Sequence, residues 1–286
     1  MKYRRIEISL LLVVLFMVFS CGGSPEQKRA KYMKRGDGYF EKQEYNKAII
    51  EYKNAIQAEP NFARGHYQLG LAYLKTSQPR EAFQELSKAV DIDPSNLDAQ
   101  LKLGQFFLLG KQTETAREKA TMVLEKEPEN LDGLFLLAGV LMQEGNPDEA
   151  TKILSQVTAQ DAENVKAYLS LASIAQSQKK LDEARDYLNK AVEVDPDSPG
   201  PRIALARFLE QTGQYDEAEK EIKEAIVKNP DNVLIQADLG NFYVRRGDME
   251  AAERTFLKMA EVAPDQVGPK MTLSAFYASQ RDWQKA

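Results

Sequence analysis

The chain holds one cysteine, Cys21, and its neighbours decide what its sulfur can do. A single thiol closes no internal disulfide, and a thiolate zinc site needs several. The residues before it run from a basic start (Lys2, Arg4, Arg5) through an unbroken apolar stretch, Leu10–Phe19, to the small Ser20. That is the order of a secretory signal, and the stretch falls short of the roughly 20 apolar residues that cross a bilayer. What remains for the sulfur is modification of itself.

Val18, Ser20 and Cys21 together resemble the lipobox of bacterial lipoproteins. The resemblance implies a diacylglyceryl group on the Cys21 thiol, removal of residues 1–20 as a signal peptide, and a new N-terminus at the cysteine. Gly22 after it, where Asp would be the alternative, resembles lipoproteins sorted to the outer membrane, facing the periplasm. Ser24, Pro25 and Gln27 have the form of a helix start, with an N-cap, a proline in the first turn and a capping-box partner. Residues 21–28 are therefore expected to be a lipidated cysteine, a short tether and a helix start. Gly22 and Gly23 alone separate the two, a reach of about 10 Å.

Other groups with chemical potential do not assemble. His66 is the only histidine, and no second histidine or thiol can join it in catalysis. Gly104, Gly110 and Lys111 imitate a phosphate loop but have the wrong spacing, lack a following Ser or Thr and lie in a helical pattern. Asp91 with Asp93, and Asp195 with Asp197, stand where helices end and do not have EF-hand spacing. The chain is read as no enzyme, with no cofactor, no metal and no small-molecule substrate.

Charge narrows the partners. Residues 21–286 carry 35 basic against 42 acidic side chains and no basic block. Nucleic acid and anionic lipid surfaces both attract the opposite balance. The partners expected are proteins or peptides, with the membrane reached only through the lipid.

The elements that position these groups follow from a period of 34 residues that never slips. Counting repeats from Arg29, Ala63, Leu97, Leu131, Val165, Pro199, Val233 and Val267, the twentieth place is always alanine, from Ala48 to Ala286. The eighth place is always small, as in Gly36, Gly70, Ala138 and Ala172. Proline fills place 32 in six of the seven complete repeats, Ala162 being the exception. Each repeat reads as two helices, in the second repeat Ala63 to Thr76 and Arg80 to Ile92. The small places let the two axes approach, large groups such as Leu69, Tyr73 and Leu86 fill the space around them, and the proline stops the second helix.

This pattern resembles the tetratricopeptide repeat over residues 29–286, as seven full repeats and a truncated eighth that runs to Ala286 and carries Trp283. The resemblance implies an all-α, right-handed superhelical solenoid in which each helix pair buries its apolar face on the next. Since the eighth repeat breaks off within its second helix, the natural chain is expected to continue.

The resemblance also places the first helix of each pair on a concave side, with places 2, 5, 9 and 12 facing inward. In the N-terminal half these places are apolar: Tyr67, Leu71 and Leu74 on one helix, then Leu101 and Leu108, then Phe135 and Met142. They form the expected protein-binding groove. In the C-terminal half the same places turn polar, with Arg207, Glu210 and Asn241. The family's clamp for a peptide carboxylate needs Lys at place 5, which is apolar in every repeat here, so that specificity is not expected.

The function expected is a membrane-anchored protein-interaction scaffold of the bacterial cell envelope, supporting assembly or secretion of an exopolysaccharide or of a pilus or secretin. Lipoproteins with such arrays resemble those of PEP-CTERM/exosortase systems. The alternative is a substrate-recruiting region of a larger enzyme whose catalytic domain lies beyond residue 286.

Overall fold

The computed structural model describes residues 24–282. The signal segment and Cys21 precede these residues, and Trp283 and Ala286 follow them. Fifteen helices and no strand are present among the described residues. They are α1 (Pro25–Glu41), α2 (Tyr45–Ala58), α3 (Ala63–Lys75), α4 (Pro79–Ile92), α5 (Leu97–Leu109), α6 (Thr113–Lys126) and α7 (Leu131–Gln143). There follow α8 (Pro147–Gln160), α9 (Val165–Ser177), α10 (Leu181–Val194), α11 (Pro199–Gln211) and α12 (Tyr215–Lys228). The last are α13 (Val233–Arg246), α14 (Met249–Val262) and α15 (Val267–Ser279). The fold is all-α, and odd-numbered helices open each repeat. The chain divides into two compact units, residues 1–143 and 144–286.

The ends of the helices are set by local chemistry. Ser24 accepts from the Gln27 amide while its own N–H donates to Gln27 Oε1, a complete capping box. Asn96 and Asn164 cap α5 and α9 by accepting from Ala99 and Ala167. The second helix of each pair stops at an extended residue just before place 32, such as Glu59, Asp93 and Asp195. Asp161, which precedes Ala162 rather than a proline, takes the same turn, with φ −133° and ψ 89°.

In the first unit the helices pack consecutively from α1 to α7, and α5 also touches α7. Ala48, Ala82 and Ala116 are fully buried where paired helices meet. Opposite the eighth place sits a large group. A Cβ on Gly36 would lie 2.5 Å from the Tyr52 ring, so only glycine lets α2 approach α1 this closely. In the third repeat the corresponding large residue is itself small, Ala120, and Leu136 of α7 fills the space over Gly104 instead.

In the second unit the same packing runs from α8 to α15, with Ala150, Ala184, Ala218 and Ala252 fully buried. Phe256 presses on Gly240, where a Cβ would stand 2.4 Å from the ring. One inter-repeat hydrogen bond recurs with the period: Tyr243 donates to Glu219 at 2.6 Å and Tyr277 to Glu253 at 2.9 Å. Such nearest-neighbour contacts are what hold a stacked array together.

Candidate functional site

The predicted groove residues lie on α3, α5 and α7 of the first unit. Tyr67 and Leu71 are half-buried, and Leu74 is 36% exposed. They share one face of α3 because their spacing of four and three residues follows the helical period. Phe135 and Met142 on α7 are half-buried.

Leu101 is a correction. Only 2% of it is exposed, and it packs with Ala120, Val123 and Leu136. Because α5 and α7 touch directly, the fifth place of α5 is closed over and becomes core rather than surface. Leu108 is intermediate: half-buried, leaning on that same cluster and on Gly139, with its carbonyl accepting from Gln143 Nε2 at 2.9 Å. The surface available to a partner is therefore centred on Tyr67, Leu71 and Leu74.

Acidic groups border it that the apolar pattern did not single out. Burial, reinforced by the charges of Asp98 on α5 and Asp132 on α7, pushes the Tyr67 hydroxyl up to about 12. Those two residues hold the second place of consecutive repeats, so the signal was present in the sequence as a repeated acid. Nearer the N-terminus, Asp37 accepts from the Tyr52 hydroxyl at 3.0 Å and from Arg64 at 2.9 Å. It lies beside a cleft of about 520 Å³ lined by Met33, Lys34, Glu41 and Phe62. The first unit thus offers an apolar strip with Asp98 and Asp132 beside it, while Asp37 is already paired with Arg64 in a cleft that Arg29 and Lys34 also line. Such a surface suits a partner segment that is apolar and basic.

In the second unit the equivalent places are satisfied internally. Arg245 forms a bidentate pair with Glu210 at 2.7 and 2.8 Å, and Arg207 reaches Asp238 at 3.3 Å. Ile203 is buried. The polar turn expected there is a ladder of ion pairs.

The fourth place of the repeat carries a contact that local sequence did not reveal. Gln100 and Gln236 donate through Nε2 to the carbonyls of Pro94 and Pro230, both at 2.9 Å. His66 makes the same bond to Pro60 at 2.9 Å and adds a contact of 2.6 Å from Nδ1 to Glu85. Both nitrogens face acceptors, and the hydrogen bond to Glu85 holds the imidazole above the usual histidine range. The contact is structural, buried in the helix pair. Among the described residues, no group of three or more His, Cys, Asp or Glu side chains is arranged to hold a metal. No described helix is long and apolar enough to cross a membrane.

Tetratricopeptide-repeat family models match residues 63–96, 111–174, 175–226 and 203–267, and a TPR-repeat model matches 36–77. Among curated proteins none matches the chain. A tetratricopeptide repeat protein from Parabacteroides merdae is similar in structure, with a TM-score of 0.65 at 17% identity, over 87% of this chain and 99% of that one. Yeast Tom70 gives a TM-score of 0.66 at 18% identity, over 94% of this chain and 58% of Tom70. A thermophilic TPR protein of Thermus thermophilus gives 0.57 at 18% identity, over 64% of this chain and all of that one. At such identities the structures speak for the fold, and the family models for the repeat. The chain is built of tetratricopeptide repeats, a protein-interaction scaffold, and no catalytic family is among those it matches.

Proposed function

We propose that this scaffold works in the bacterial cell envelope, held to a membrane by a lipid on Cys21 and gripping a partner protein on α3 and its neighbours. The observation that carries the binding surface is the strip of Tyr67, Leu71 and Leu74, left half-buried or exposed where the rest of the core closes, with Asp98 and Asp132 beside it. The envelope location rests on residues 2–21: basic start, short apolar stretch, small residue and lone cysteine. Its service is the assembly or secretion of an envelope structure, an exopolysaccharide or a pilus or secretin.

The test is site-directed photo-crosslinking in living cells, with the reactive side chain placed at Leu74, at Leu71, or at the exposed Ile50 on a second helix. Discrete adducts to one envelope protein from positions 71 and 74, absent from position 50, are the expected result. Equal labelling from all three positions, or adducts to cytoplasmic proteins alone, would reject the reading.

A further inference from the structure

The places that seat one repeat on the previous one carry different residues in the first repeat. Place 7 is leucine in each of the seven later repeats, and Leu69, Leu103, Leu171, Leu205 and Leu239 are buried. Place 3 is buried in all seven as well. It meets the second helix of the preceding pair: Gly65 faces Ile56 of α2, and Gly133 faces Leu124 of α6. In α1 these two places are Lys31 and Arg35, both exposed. The side that later first helices turn inward is therefore open in α1, and it is cationic.

Helical geometry gathers the charge. Residues 28–35 hold five basic side chains and no acidic one. With about 100° of turn per residue, Lys28, Lys31 and Arg35 fall within about 60° of arc, and the acids of the helix, Glu26, Asp37 and Glu41, fall on the opposite side. There Asp37 pairs with Arg64 of α3, and Glu41 lines the same cleft. Among the described residues the ion pairs of α1 are made by Glu26, Arg29, Arg35 and Asp37, and not by Lys28 or Lys31. Arg35 reaches Glu51 of α2 at 2.6 Å and keeps half of its side chain exposed.

The balance of the whole chain conceals this segregation. The first helix pair, residues 25–58, carries eight basic against five acidic side chains, whereas the rest of residues 21–286 carries 27 against 37. A polar outer face keeps a terminal repeat soluble, and a face of mixed sign would serve that purpose equally. A face of one sign, on one side of one helix in an acidic chain, is complementary to an anionic surface.

Position says which surface. The chain from Cys21 to Lys28 spans at most about 20 Å. Lys31 and Arg35 follow along α1, so a helix lying on a leaflet keeps all three cations within the roughly 10 Å over which its charge is felt. Acidic side chains farther out are screened from it. Resting on the reading that Cys21 carries a lipid, we propose that the face of α1 formed by Lys28, Lys31 and Arg35 docks on the anionic phospholipid headgroups of the membrane that holds the anchor. The lipid supplies attachment, and the helix face decides which side of the first unit meets the leaflet.

The test uses the mature protein, purified from cell membranes and reconstituted into vesicles of phosphatidylcholine or of phosphatidylcholine with about one-third phosphatidylglycerol. Flotation with the neutral vesicles reads the anchor alone. A protein left behind there refutes the lipid and the proposal with it, whereas a protein that floats puts α1 to its own test. Lysine acylation by a water-soluble reagent, read by peptide mass spectrometry, follows α1, with the exposed Lys152 and Lys258 as references on the same molecule. Since each cation near an anionic leaflet gains about fivefold in occupancy, Lys28 and Lys31 should react at least about fivefold more slowly on the anionic vesicles, with the references unchanged. High salt should remove the difference. Lys28→Glu read at Lys31, and Lys31→Glu read at Lys28, are exposed changes that leave the fold alone, and each should cut the protection to about twofold or less. Equal rates on the two vesicles, or protection that ignores salt or survives the charge reversals, would overturn the proposal. So would protection on neutral vesicles that grows with protein density, or protection that needs other envelope proteins in the vesicle, since the face would then serve a second copy or an acidic partner.

Discussion

His66 Nδ1 lies 2.6 Å from Glu85 Oε2, inside a helix pair where neither group meets much water. The hydrogen bond to Glu85 raises the histidine above its ordinary value of 6.5, against burial, which pulls it down. Burial would raise Glu85, but its bonds to His66 and Lys88 outweigh that and hold it below the ordinary carboxylate range. A raised histidine stabilises fully below pH 6.5 and loses that contribution as pH climbs through its folded-state value; a lowered carboxylate loses its own as pH falls through the lowered one. Between the two limits the pair is intact.

The first consequence is a pH-dependent midpoint. Denaturant unfolding of the chain should show stability falling as pH rises above about 6.5. His66→Gln, the residue used at this place in Gln100 and Gln236, should keep the bond to Pro60 and remove that slope. A slope unchanged in His66→Gln would assign it to other groups. His66→Ala should cost about 1–3 kcal/mol, because it removes the partner of the Pro60 carbonyl and of Glu85 Oε2, leaving Glu85 with Lys88 alone.

Substitutions on the α3 strip should separate binding from folding. Leu74→Arg is expected to shift stability by no more than about 0.5 kcal/mol and to abolish partner capture. Leu101→Ala, by contrast, should lose about 2–5 kcal/mol, since it empties a closed site. Thermal melts beside capture assays check both. Early melting of Leu74→Arg would show that this strip is core.

Close approach at Gly240 is the next target. Gly240→Ala should cost about 1–3 kcal/mol through its collision with Phe256. Combining it with Phe256→Leu should restore most of the loss, because Ala172 with Leu188 and Ala206 with Ile222 occupy these same places in neighbouring repeats. A double-mutant cycle measures the coupling. Simple additivity would mean that the two positions do not interact as the geometry requires.

The loop at Ala162 differs in sequence and not in shape. Without proline, its helix stop is enforced only by Asp161 and Asn164, the latter accepting from Ala167 at 3.0 Å. Amides near Gln160 should exchange faster than those near Asp195 or Asn229, where proline follows. Equal protection in the three loops would show that the caps suffice.

Cys21 remains the most direct test of location. Cys21→Ser should leave the protein uncleaved or release it from the detergent phase. Mass spectrometry of the mature N-terminus should find a lipid on Cys21, and an intact Met1 in the wild-type protein would refute the anchor.

By itself, the sequence determined the helix pairs, their lengths and their order. A strict period of 34 repeats the same small places, large places and stops. Those are local steric requirements, carried by residues such as Ala48, Gly36 and Pro60. The α3 strip was legible for the same reason, because Tyr67, Leu71 and Leu74 share one helix face.

What only the tertiary structure decided is which side chains meet across helices. Leu101 became core because α5 touches α7 directly, and Leu136 of the next repeat, not Ala120, fills the space over Gly104. Asp98 and Asp132 reach the field of Tyr67 from two later repeats. Each of these depends on distances between residues tens of positions apart. The repeat fixes where such residues stand, and their different sizes and charges decide whether they close the gap or leave it open.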